Sequence, residues 1–120
     1  MLKNVFYFSD KRGRYPVMEF IHSLPESERI RIYSYIRELK THGHNLRRPM
    51  ADYVTKGLYE LRPQANRIFY FFYLKESAVL VHAIRKKTDK LPQRDIALAL
   101  KRKAKTEADR NAGKLAAEDL

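Results

Sequence analysis

Three runs in the middle of the chain decide its fold: Leu58-Tyr59-Glu60-Leu61-Arg62, Arg67-Ile68-Phe69-Tyr70-Phe71-Phe72-Tyr73-Leu74, and Ala78-Val79-Leu80-Val81-His82-Ala83-Ile84. Each is rich in aromatic or β-branched residues and is bounded by turn-forming residues, Pro63-Gln64-Ala65-Asn66 and Lys75-Glu76-Ser77. Strands joined by such short connections make an antiparallel meander. In the first run the period of two puts Tyr59 and Leu61 on one face and Glu60 and Arg62 on the other. The second run has bulky apolar side chains on both faces. Such a strand is central, covered on both sides or awaiting a partner on one.

Outward from the meander, Asn4-Val5-Phe6-Tyr7-Phe8 reads as a first strand, stopped by Ser9-Asp10-Lys11-Arg12-Gly13. Pro16 and Pro25 each suit the first turn of a helix. Val17, Phe20, Ile21 and Leu24 follow the first at helical spacing. Ile32, Ile36 and Leu39 follow the second, with Gly43 as a stop. After the meander, Leu91-Pro92 opens a last helix with a narrow stripe of Ile96, Ala97 and Leu100. The expected architecture is α+β: a small twisted antiparallel sheet with an N-terminal helical hairpin and a C-terminal helix, the helices on one side of the sheet. Residues 1–105 form the expected domain, and 106–120 a charged extension of the last helix or a tail.

A chain of 120 residues fits one domain, and 44% hydrophobic content suffices for a core. The absence of cysteine excludes disulfides, thiolate metal sites and a cysteine nucleophile. No apolar run approaches the ~18 residues of a membrane span, and the first residues lack the features of a signal peptide. A cytoplasmic protein without membrane contact is the expectation. The net charge is +11. Its excess lies in residues 62–105, with twelve basic against three acidic side chains. That balance points to a polyanion or an acidic protein as partner.

The cations of this half gather at strand ends. Arg62 closes one strand, Arg67 opens the next, and Arg85, Lys86 and Lys87 end the last, with Lys90 beyond. Neighbouring strands lie only ~4.8 Å apart, so these groups can converge into a phosphate cradle, Arg giving bidentate contacts and Lys a compact charge. The aromatics, Tyr59 among them, are read first as core and second as platforms for unpaired bases. RNA carries its own nucleophile, the 2′-OH. Cleavage then requires positioning, charge stabilisation and proton transfer, without a metal or cofactor. Clustered cations supply the second and lower a lysine's proton affinity for the third. Glu60 can be a general base or the partner holding Arg62 or Arg67; the second is favoured. His42-Gly43-His44 falls short of a metal site, and His82, inside a strand, reads as a core residue.

Four blocks in order then resemble a known group: Gly13-Arg14-Tyr15-Pro16-Val17-Met18-Glu19-Phe20, His42-Gly43-His44-Asn45-Leu46-Arg47, Gly57-Leu58-Tyr59-Glu60-Leu61-Arg62, and Arg85-Lys86-Lys87-Thr88-Asp89-Lys90-Leu91-Pro92. Over residues 3–104 the chain resembles the HigB-like toxins, a phage-associated branch of the RelE/ParE toxin superfamily. The resemblance implies a RelE-like fold and a type II toxin that cuts mRNA in the ribosomal A site without a metal, leaving a 2′,3′-cyclic phosphate. Its partners would be the ribosome, mRNA and a cognate antitoxin, usually with a helix-turn-helix domain. By position the family's basic site residues map to Arg62, Arg67 and Lys87, with Lys86 beside it. Glu60 stands where some relatives carry a lysine, and no Tyr or His shortly follows Lys87. The expected catalytic set is Arg62, Arg67, Lys86, Lys87 and Glu60, with Arg85, Lys90 and Tyr59 as RNA contacts. Two alternatives share the composition: a gyrase-inhibiting toxin of the ParE branch, and a non-catalytic RNA- or DNA-binding protein.

Overall fold

The computed structural model describes residues 1–109 and the strand Leu115–Ala117. The elements run β1 (Asn4–Phe8), α1 (Pro16–His22), α2 (Glu26–His42), a 3-10 turn (Gly43–Asn45), β2 (Ala51–Thr55), β3 (Leu58–Leu61), β4 (Asn66–Phe72), β5 (Ser77–Arg85), α3 (Gln93–Ala108) and β6 (Leu115–Ala117). The fold is α+β, and one sheet has the order β2-β3-β4-β5-β1-β6.

β3, β4 and β5 form the antiparallel meander expected from their turns. β2, which the sequence reading passed over, adds in front through a two-residue turn. Lys56 and Gly57 there have φ of 48° and 79°, as a hairpin turn matched to strand twist requires. β1 runs parallel to β5, with Val5 beside Ala78 and Tyr7 beside Leu80. The sheet is therefore mixed, not wholly antiparallel. Two helices and three strands separate β1 from β5, and only a long connection of that kind returns a chain in the same direction.

The helices also lie on both sides of the sheet, not on one. Val17 and Ile21 of α1 and Ile32, Ile36 and Leu39 of α2 pack on Val5, Leu61, Ile68, Tyr70 and Leu80. On the opposite face α3 brings Ile96, Ala99 and Leu100 onto Leu58, Phe69, Phe71, Val79 and Val81. The reason is β4, where Ile68 and Tyr70 point one way, Phe69 and Phe71 the other, and all four are buried. A strand apolar on both faces must be covered twice. On α3 the buried alanine is Ala99, while Ala97 of the expected stripe faces solvent.

The last helix continues through Ala108, and Leu115–Ala117 pairs antiparallel with β1. The rest of the stretch read as an extension or tail, 110–114 and 118–120, lies outside the described residues. Among the described residues no helix is long and apolar enough to cross a membrane.

Phe71 is fully buried between β4 and α3. Phe71→Ala should destabilise the protein by about 3–5 kcal/mol, read from the urea midpoint. A loss under about 1 kcal/mol would mean that the α3 side is not a packed core.

Candidate functional site

The second face of the sheet is capped by α3 only from Gln93 onward, so the ends of β3 and β4 stand at the border between covered and open sheet. Glu60 and Arg62, two residues apart, emerge on that face. Arg62 continues the ladder past β3 by donating its backbone N–H to the Met50 carbonyl at 2.8 Å. Its Nη1 donates to Glu60 Oε2 at 2.7 Å. Arg67, near the start of β4, faces the same carboxylate from the other side, its Nε 3.6 Å from Glu60 Oε1. That distance is ion pairing without a hydrogen bond, and both atoms are buried without a hydrogen-bond partner. Arg67 Nη1 instead donates to the Gln64 and Asn66 carbonyls, which bolts the guanidinium to its own turn.

One buried carboxylate thus serves two guanidiniums. The Glu60 and Arg67 side chains are 6% and 8% exposed, and Arg62 is 21% exposed. Burial pulls the Arg67 guanidinium below its ordinary pKa, and the neighbouring Arg62 charge acts in the same direction, while Glu60 opposes both.

In front of this group opens a cleft of about 410 Å³. Glu60, Arg62, Lys86 and Lys90 line it, with Val54, Leu91 and Ile96 as an apolar wall. Lys86 arrives there because its N–H donates to the Ala65 carbonyl at 2.7 Å, carrying the β4–β5 pairing past Arg85. β2 contributes Asp52, held by Arg48 through Nε and Nη2, both at 2.9 Å. Those hydrogen bonds lower the Asp52 carboxyl below its ordinary pKa.

Of the residues singled out from sequence, Glu60, Arg62, Lys86 and Lys90 meet at this cleft, and Arg67 stands behind Glu60. Lys87 lines a neighbouring depression with Arg94 and Asp95, one that Lys86 also borders. Arg85 and Tyr59 are not brought in. Arg85 Nη1 donates to Glu28 Oε1 on α2 at 2.6 Å, and Asn66 Nδ2 donates to the same oxygen. Tyr59 lies on the α1/α2 face, among the rings of Tyr53, Tyr70 and Phe72. Arg48 and Asp52 were missed with their strand; an Arg and an Asp four residues apart outside a helix give no local signal. His82 is a packing residue: its ring stacks on Phe69, Nε2 meets Asp95 Oδ1 at 2.8 Å, and Nδ1 faces Arg102. Among the described residues no group of three or more His, Asp or Glu side chains is arranged to hold a metal ion.

The family of phage-derived proteins described as Gp49-like (DUF891) matches residues 19–104, a span that includes every cleft residue named above. The chain belongs to this Gp49-like family, which is associated with RelE/HigB-like toxins. No curated protein matches the chain.

Removing one member of a buried ion pair strands the other. Glu60→Ala should therefore cost about 3–5 kcal/mol in urea unfolding. The double replacement Glu60→Leu with Arg67→Met should recover most of that loss. A neutral Glu60→Ala would show that the carboxylate does not hold the two arginines.

Proposed function

We propose that the protein is the toxin of a type II toxin–antitoxin pair and a ribosome-dependent mRNA endonuclease. The observation that carries this reading is the convergence of Arg62, Lys86 and Lys90 at a single cleft, where Glu60 is paired to Arg62 and Asp52 to Arg48, and Asp89 is the third carboxylate. Message bound across the cleft places a phosphodiester against these cations. The 2′-hydroxyl gives its proton to solvent water as its oxygen attacks the adjacent phosphorus, the P–O5′ bond breaks as a proton passes to the leaving 5′-oxygen, and the products are a 2′,3′-cyclic phosphate and a 5′-hydroxyl. The phosphoryl oxygens gain charge as the five-coordinate transition state forms. Fixed guanidinium and ammonium groups stabilise it most at that moment.

Glu60 is assigned as the positioning residue. Its Oε2 is occupied by Arg62, and it keeps two arginines at one place against their repulsion. Lys86 is assigned the proton on the leaving 5′-oxygen, because its ammonium is a proton donor that lines the same cleft as Arg62. Arg67 acts through Glu60 and the Pro63–Asn66 turn. Arg85, paired to Glu28 and bordering the neighbouring depression with Lys86 and Lys87, and Tyr59, on the α1/α2 face, stand outside this cleft. An antitoxin is the cognate partner, and the ribosome in the cytoplasm is the place of action. Ribosomal RNA and message are both polyanions, which suits a chain of net charge +11.

The test is controlled expression with mapping of mRNA 5′ ends. The wild type should arrest growth and produce cuts in register with codons. Arg62→Ala and Lys86→Ala should each reduce cleavage by about 10²-fold or more, the size typical of removing one transition-state stabiliser, while the purified variants remain folded. Growth arrest with a DNA-damage response and no cuts would replace the nuclease by a gyrase inhibitor. Salt-sensitive RNA binding without growth arrest would leave only a binding protein.

A further inference from the structure

Cations also collect on a second surface, apart from the cleft. On α3, Arg94, Leu98, Lys101 and Lys105 follow at intervals of four, three and four, and so share one face of the helix. That face is opposite to the one that buries Ile96 and Ala99. Arg94 and Lys101 are exposed, and Lys105 is half-buried. The row is about 16 Å long at ~1.5 Å per residue. At its far end it meets the turn between β1 and α1, and Arg12, Arg14, Lys101 and Lys105 border a shared depression of about 320 Å³. At its near end Arg94 shares a depression with Lys86 and Lys87.

The acids in this region are engaged elsewhere. Asp10, in the depression, accepts the backbone N–H groups of Arg12 and Arg14, each at 2.9 Å. The two acids of α3 are also bound: Asp95 to His82, and Glu107 to Lys103. The positive row is thus not balanced by the helix that carries it.

We propose that this row and the β1–α1 turn form a docking surface for the phosphate backbone of a nucleic-acid duplex. The shape argues for a backbone. Duplex phosphates follow one another by ~3.4 Å along each strand, so the row spans about five of them. A protein partner would need an apolar or aromatic anchor. Leu98 and Phe8 also line the depression, the one half-buried and the other buried, but among the described residues the large exposed hydrophobic side chains, Met1, Ile30, Tyr53 and Leu74, belong to other elements. Recognition by such a row reads charge and spacing, not base identity.

The surface is independent of the nuclease reading, and the test keeps them apart by measuring binding to probes that cannot be cleaved by 2′-OH attack. One probe is a 16-base-pair hairpin of 2′-O-methyl RNA, the other a DNA duplex of the same sequence; both are followed by fluorescence anisotropy from 50 to 200 mM KCl. The full-length triple variant Arg94→Gln, Lys101→Gln, Lys105→Gln should bind tenfold or more weakly than wild type at 100 mM. Its plot of log affinity against log salt should be shallower by about three. Lys101→Glu alone, at an exposed position, gives the same direction of change should the triple variant fold poorly by circular dichroism. Binding of both duplexes assigns the site to phosphate alone, and binding of RNA alone assigns it to an RNA helix. Unchanged affinity and slope in the variants overturn the proposal. So does a wild type that binds polyglutamate but neither duplex, because the surface then belongs to an acidic protein.

Discussion

Everything in this fold follows from covering β4 twice. Ile68 and Tyr70 demand the α1/α2 pair, and Phe69 and Phe71 demand α3. The two covers differ in reach. The helical hairpin carries three turns of aliphatic side chains on α2 alone, whereas α3 contributes a narrow stripe that starts beyond Gln93. The sheet is therefore dry along its middle and open where β3 ends and β4 begins. A polar group placed at that border is shielded on one side and reachable on the other. Glu60 and Arg67 are buried on the shielded side of this position, and Arg62 reaches the open side.

At the border the electrostatics are set by stoichiometry. Two guanidiniums share one carboxylate, so the group as a whole stays positive after pairing. Glu60 makes the arrangement possible, since two arginines off bulk water would otherwise repel one another. The arrangement is also slack on one side. Arg67 Nε and Glu60 Oε1 face each other beyond hydrogen-bond distance, so the carboxylate is fully committed to Arg62 and only partly to Arg67. The arginine with the stronger bond is the one that faces the cleft.

What could be read from sequence divides along the reach of the signal. Period-two alternation placed Glu60 and Arg62 on one face of β3, and turn residues set the meander. Proline positions marked the starts of all three helices. The same alternation already put Tyr59 on the opposite face from Glu60, and its contacts with Tyr70 and Phe72 agree with that parity, not with RNA contact at the cleft. β2 was illegible because Ala51-Asp52-Tyr53-Val54-Thr55 has an acid at its second position and an exposed edge, with little to distinguish it from a loop. The direction of β1 and the side taken by α3 are tertiary facts. An amphipathic helix packs equally well on either face of a sheet that is apolar on both, and no local pattern states which. The separation of Lys86 from Lys87 was illegible for a related reason: past the last regular strand residue, one backbone hydrogen bond to Ala65 decides which lysine turns into the cleft.

The parallel pairing of β1 with β5 also constrains when the molecule can exist during synthesis. Asn4 to Tyr7 take their places beside Ser77 to Leu80, so β1 has no neighbour on that side until some seventy further residues have been made. Long-range pairing of this kind slows folding, and here it delays closure until β5 has been translated. A nascent chain stopped before that point has Glu60 and Arg62 but no Lys86, and its first strand is still unpaired. The assembled cationic cleft thus requires translation through β5 and the start of α3, and synthesis that aborts before that point releases only fragments without it.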